Sequence, residues 1–176
     1  MIGISACLTG AACRYDGRSN LVQPLDEMIS AGTAVAFCPE VLGGLSTPRE
    51  PAEIVGGTSE DVWEGQAKVL TVSGEDVTAA FQHGAQLALE QAQQAGITIA
   101  VLKANSPSCG SRMVYDGTFS GSKLPGSGLT AALFRRHGII VLDEHMLEQL
   151  PDMVAGNAEQ SKVTDHPSPC RSVDTV

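Results

Sequence analysis

Short aliphatic runs recur along the chain, with longer stretches of helical periodicity between them. Ile2 to Ala6, Thr33 to Phe37, "ITIAVLK" from Ile97 and "IIVLD" from Ile139 are apolar along almost their whole length. Each is too short for a helix and reads as a strand buried on both faces. "LVQPLDEMISAG", "SGEDVTAAFQHGAQLALEQAQQAG", "GSGLTAALFRRHG" and "EHMLEQL" read as the helices between and after them. Strands alternating with helices imply an α/β domain with a mainly parallel, Rossmann-like sheet and helices on both faces. In the longest helix Ser73 and Asp76 give a start close to a capping box. Val77, Ala80, Phe81, Gly84, Ala88 and Ala95 share one face of it, and Gly96 ends it.

Two segments stand outside this alternation. "VLGGLSTPREPAEIVGG" reads as a long Gly/Pro-rich loop, and "AKVLTV" after it as a further strand. "MVYDGTFSG" reads as a small hairpin insertion turning at Asp116-Gly117. The expected organisation is one domain over residues 1–155, followed by a polar, flexible tail over 156–176.

Composition removes several classes of function. The chain has 176 residues, 4% aromatic, with a formal net charge of -9 and no Lys/Arg cluster. A nucleic-acid polymer is a poor partner for such a surface. No apolar run is long enough to span a membrane, and the N-terminus has no secretory pattern. The expected setting is the cytoplasm, where thiols stay reduced. Five cysteines at low density suit packing, metal binding or nucleophilic chemistry better than a disulfide framework.

Three of those cysteines occupy equivalent places. Cys7 follows the first strand, Cys38 the second and Cys109 the third buried one. In open α/β sheets the carboxyl ends of the strands face the ligand crevice. A fold of this kind gathers the three into one site, although a single free cysteine is most often a small buried hydrophobe. Three thiolates suit a soft metal or an iron–sulfur cluster, and three donors to four irons leave one iron open. Cys13 shares a loop with Cys7 and is a further candidate as fourth ligand or redox partner; Cys170 lies in the expected tail.

The residues around these cysteines are polar and small. Glu40 stands in "CPE", its backbone stiffened by Pro39, and is a candidate acid or base. Ser106 heads "SPSC", where its hydroxyl is free to hold a carbonyl or a water. Pro107, Ser108 and Gly110 make a compact turn whose amides would surround a ligand. Arg49 and Lys103 are available to balance negative charge, with structural ion pairs as the plainer reading. His83, His137, His145 and His166 are scattered and form no close pair with a cysteine. "GSGLTAAL" opens a helix with glycines but lacks a full nucleotide-binding fingerprint.

"ISACLTGAACRYDG", "FCPEVLGGLSTPREPAEI", "KANSPSCG" and "YDGTFSG…GSGLTAALFRRHGI" together resemble the bacterial thiouracil desulfurase family, long catalogued as domain-of-unknown-function family 523. The resemblance runs from about residue 2 to residue 145. It implies a [4Fe–4S] cluster held by Cys7, Cys38 and Cys109, with Glu40 and Ser106 as catalytic residues. It further implies non-redox desulfuration of a small thiolated base, 2-thiouracil or a relative, to the oxo base and hydrosulfide. Two readings of the residues compete with it. Cys109 would be a metal-free nucleophile in one, although no histidine is placed to serve as its base. In the other, Cys13 completes a fully ligated, non-catalytic cluster or zinc module.

Overall fold

The computed structural model describes residues 1–151 and Val154. The expected tail at 156–176, with Cys170, lies outside the described residues. Strand β1 (Ile2–Ser5) passes into a 3-10 turn, Ala6–Thr9, and then to helix α1 (Gln23–Ser30). Strand β2 (Ala34–Phe37) leads directly into a one-turn helix, α2 (Pro39–Leu42). Strand β3 (Ala52–Val55), helix α3 (Ser59–Trp63) and strand β4 (Lys68–Thr71) follow. Then come α4 (Thr78–Gln94), β5 (Ile99–Leu102), the pair β6 (Met113–Tyr115) and β7 (Lys123–Pro125), α5 (Leu129–Arg136) and β8 (Ile140–Asp143). No helix among the described residues is long and apolar enough to cross a membrane.

The central sheet has the order β2-β1-β5-β8, and every pairing in it is parallel. Alternate residues of β5 face opposite sides, as a pleated strand requires. Ala100 and Leu102 pack with Ala85, Ala88 and Ala92 of α4 and with Ala131 and Phe134 of α5. Ile99 and Val101 pack on the other side with Ile2, Ile4, Leu8, Leu25 and Leu142. The near-continuous apolar runs of the sequence are therefore the strands covered on both faces.

Four local expectations change. The long loop contains α2 and β3, and β3 pairs antiparallel with β4 in a separate hairpin beside the central sheet. Strand β3 escaped an apolar reading because Glu53 sits buried at its centre. The expected capping box does not form: α4 begins at Thr78, and Ser73 exchanges a hydrogen bond with Thr71 instead. The β6–β7 hairpin exists, but it turns through a loop of residues 116–122 rather than at Asp116-Gly117 alone. The last expected helix shows, within the described residues, as a 3-10 turn at Leu147–Gln149 with Leu150 buried after it.

One crossing fixes the site. Helices α2 and α4 touch backbone to backbone at two glycines. A Cβ on Gly84 would lie 1.9 Å from the carbonyl oxygen of Pro39, and one on Gly43 would lie 2.1 Å from that of Ala80. Gly84→Ala must therefore push α2 outward, and Cys38 and Glu40 move with it. We expect a loss of about 2 kcal/mol, the cost of overpacking less the helix propensity gained. Thermal unfolding should show a Tm lowered by roughly 5 °C.

Candidate functional site

The carboxyl ends of β1, β2 and β5 open into a cavity of about 780 Å³. Cys7, Cys13, Cys38, Cys109, Glu40, Ser106, Arg49 and Lys103 all line it. Each arrives from a different piece of chain. Cys7 lies in the 3-10 turn after β1, and its carbonyl accepts the amide of Asn20 at 2.7 Å, which folds the 10–20 loop back over the site. Cys38 sits between β2 and α2, where Pro39 at the first helical position sets the turn. Cys109 ends the compact turn after β5.

That turn is built differently from the expectation. The Ser106 hydroxyl oxygen accepts the amides of Ser108 at 3.1 Å and Cys109 at 3.2 Å. The Gly110 amide donates to the Ser106 carbonyl at 2.8 Å. These N–H groups are taken up within the turn and do not surround a ligand. They hold the cysteine instead, and they leave the Ser106 hydroxyl proton to donate to Glu40 Oε1 at 3.2 Å. Gly128 closes the turn from behind: a Cβ there would lie 2.4 Å from the Ser108 carbonyl oxygen.

The Glu40 carboxylate is gripped at both oxygens. Oε2 accepts Arg49 Nε at 2.8 Å and also Nη2, while Oε1 receives Ser106. The two charged side chains keep only 9% and 15% of their surface, Arg49 and Glu40 respectively. Arg49 reaches further, donating to the Cys13 carbonyl at 3.1 Å and to the Ser46 carbonyl at 3.0 Å. Its own amide donates to the Tyr15 carbonyl at 2.8 Å. One guanidinium thus ties α2, the 46–49 segment and the 10–20 loop together. Lys103 pairs with Glu144, whose other oxygen accepts the Ala104 amide at 2.8 Å. Both cations are in ion pairs, as the plainer reading held. Arg49→Met leaves Glu40 buried without its partner, and we expect about 3 kcal/mol of destabilisation in denaturant unfolding.

The four thiols influence one another. The Cys13 thiol contacts those of Cys38 and Cys7; the Cys38 contact lowers its pKa, but Cys7 and burial outweigh it and the thiol rises to about 11. Cys38 is raised, first by the Cys13 thiol and then by burial, and its thiol faces the Cys13 carbonyl at 3.9 Å. Burial pushes Cys109 up to about 12, with Cys38 and Glu40 adding to the rise against the hydroxyls of Ser5 and Ser108. Cys13, Cys38 and Cys109 are thereby held toward the protonated thiol. They become thiolates only when something positively charged enters the cavity to take their protons' place.

Cys7, Cys38, Cys109, Glu40, Ser106 and Pro107 all line this one cavity, whereas Ser108 is buried behind the turn against Thr130 and Gly110 does not line it. The placement of Cys13 against Cys7 and Cys38 was not visible in the sequence, because loop 10–20 carries no periodicity to orient it. The Glu40–Arg49 pair was equally hidden, nine residues apart across a presumed loop. No histidine among the described residues lines the cavity.

The thiol-lined cavity lies at the strand ends of a parallel α/β sheet, the place where open sheets of this class bind their ligands. Within that class the chain belongs to the 2-thiouracil desulfurase family, which it matches over residues 2–146. It is 49% identical to the uncharacterized protein YbbK of Bacillus subtilis (strain 168) over 150 residues, 85% of this chain and 99% of that protein. It is also similar to the solved structure of the [4Fe-4S]-dependent thiouracil desulfidase TudS, with a TM-score of 0.76 and 47% identity. That match covers 90% of this chain and 97% of the other.

Proposed function

We propose that this protein is an iron–sulfur-dependent desulfurase that hydrolyses the thiocarbonyl of a small thiolated base such as 2-thiouracil, in a reducing, cytoplasmic setting. The observation that carries this reading is the arrival of Cys7, Cys38 and Cys109 from three separate strand ends at one cavity wall that also holds Glu40 and Ser106. The donor set suits a cluster. Among the described residues no three His, Cys, Asp or Glu side chains converge on a single-ion site. A polynuclear cluster takes one thiolate at each of separate corners, so it suits donors that are gathered but not convergent. When bound through three thiolates, a [4Fe–4S] cluster supplies a Lewis-acidic iron with affinity for sulfur.

The chain's own residues account for the rest of the chemistry. The reaction exchanges C=S for C=O: water adds oxygen, hydrosulfide departs, and no net electrons move. Glu40 is the base that takes the proton from that water. Arg49 fixes the carboxylate in orientation, since it holds Oε2 from two nitrogens. The other oxygen, Oε1, is the one turned toward Ser106. As the water oxygen adds, negative charge develops on the substrate's sulfur, which leaves as hydrosulfide. Ser106, its oxygen anchored by two backbone amides, donates to Glu40 and keeps the carboxylate aimed at the water. Phe37, Phe81 and Val77, all buried, give part of the cavity lining an apolar character.

Turnover in water labelled with heavy oxygen tests the reading. The label should enter the base at the carbon that carried sulfur, with sulfide released and no added reductant. Loss of sulfur without gain of oxygen, or a stoichiometric demand for reductant, would overturn hydrolysis.

A further inference from the structure

We propose that residues 116–122 form the wall on which the base is recognised, with Phe119 as the ring it stacks on and Glu53 as the residue that positions Phe119. The inference rests on the desulfurase reading and adds the contact that would select a flat heterocycle.

Phe119 has a φ of 57°. The left-handed region costs a residue with a side chain roughly 1–2 kcal/mol, and a bulky one is rarely found there. Such strain persists only when the surroundings enforce it. Here Glu53, buried at the centre of β3, enforces it: Oε2 accepts the amide of Gly117 at 2.9 Å and that of Phe119 at 3.1 Å. The loop runs tight along β3, since a Cβ on Gly117, itself at φ 84°, would lie 2.5 Å from the Ile54 carbonyl oxygen. Asp116 locks the turn from within by accepting the Thr118 amide at 3.0 Å.

The strained ring does not serve the core. Phe119 belongs to none of the apolar clusters among the described residues, whereas Phe37 and Phe134 share one and Phe81 sits in another. It is half-buried and lines the cavity that holds the thiols and Glu40. A buried carboxylate thus holds an aromatic side chain in place at the cavity that contains the thiols and Glu40. Glu53 itself lines the cavity too, but its amide partners place it as a positioning residue rather than a catalytic one.

Uracil binding to the anaerobically reconstituted protein, followed by calorimetry, reads this contact without turnover. Stacking on an aromatic side chain is worth enough that Phe119→Ala and Phe119→Leu should each weaken uracil binding roughly 10- to 100-fold. KM for 2-thiouracil should rise in parallel while kcat changes by less than about threefold. Phe119→Tyr should bind as the wild type does. Glu53→Ala should behave like Phe119→Ala, and Glu53→Gln should not, because its amide oxygen still accepts both N–H groups. Iron content should be unchanged throughout. Wild-type affinity in both Phe119→Ala and Phe119→Leu would overturn this inference alone. An iron-loaded wild type that neither binds uracil nor converts 2-thiouracil would overturn the desulfurase reading and this inference with it.

Discussion

Cys109→Ser is expected to leave a folded protein that retains no iron and converts no 2-thiouracil above background. The fold should survive for local reasons. Cys109 is 5% exposed and packs with Leu102, Ala131 and Phe134, so the exchange of sulfur for oxygen leaves only a small void. The hydroxyls of Ser5 and Ser108 already contact the thiol, so the new hydroxyl finds partners at once. The turn that carries it is fixed by Ser106 and Gly128, not by the side chain at 109. The metal chemistry should not survive. A hydroxyl at 109 is a hard, neutral donor where a soft thiolate is needed, and two thiols in place of three hold a cluster poorly. Circular dichroism should match the wild type while iron and labile sulfide fall to trace. Cys7→Ser and Cys38→Ser should behave alike. A Cys109→Ser protein with wild-type iron and turnover would remove Cys109 from the ligand set.

Glu40→Gln should separate chemistry from assembly. The side chain keeps its size, and its amide oxygen can still receive Ser106 or Arg49. Iron content and uracil affinity should stay within about threefold of the wild type. The base is gone, however, and kcat should drop roughly 10²- to 10⁴-fold, the usual contribution of a positioned general base. Single-turnover measurement on iron-loaded protein reads this directly. Unchanged kcat would dismiss Glu40 as the base and leave the Glu40–Arg49 pair as a structural clamp.

The central sheet was legible because its strands are buried on both faces and therefore apolar at nearly every position. Ile99 to Leu102 could have been assigned to little else. The cysteines at the strand ends were legible for the same reason, since topology alone sends strand ends to one edge. What escaped was held by polar side chains acting at a distance. Strand β3 carries a buried carboxylate whose purpose lies in loop 116–122, and no window of local sequence reveals that pairing. Helix α2 is a single turn, shorter than any periodicity can register. The stiffness of the turn at 106–109 is legible in its residues, but the inward pull of Ser106 on its amides is not, because it depends on a side-chain rotamer that the sequence does not specify. Cys13 was placed by loop closure through Arg49 and Asn20, contacts between residues that share no pattern.

Iron, labile sulfide and 2-thiouracil turnover measured on one anaerobic preparation test the central claim most directly. Partial reconstitution gives a series of samples with increasing cluster content. The account predicts turnover rising in proportion to a content that approaches about four irons and four sulfides per chain. Turnover in an iron-free sample, or a fully loaded sample that leaves 2-thiouracil intact, would contradict it.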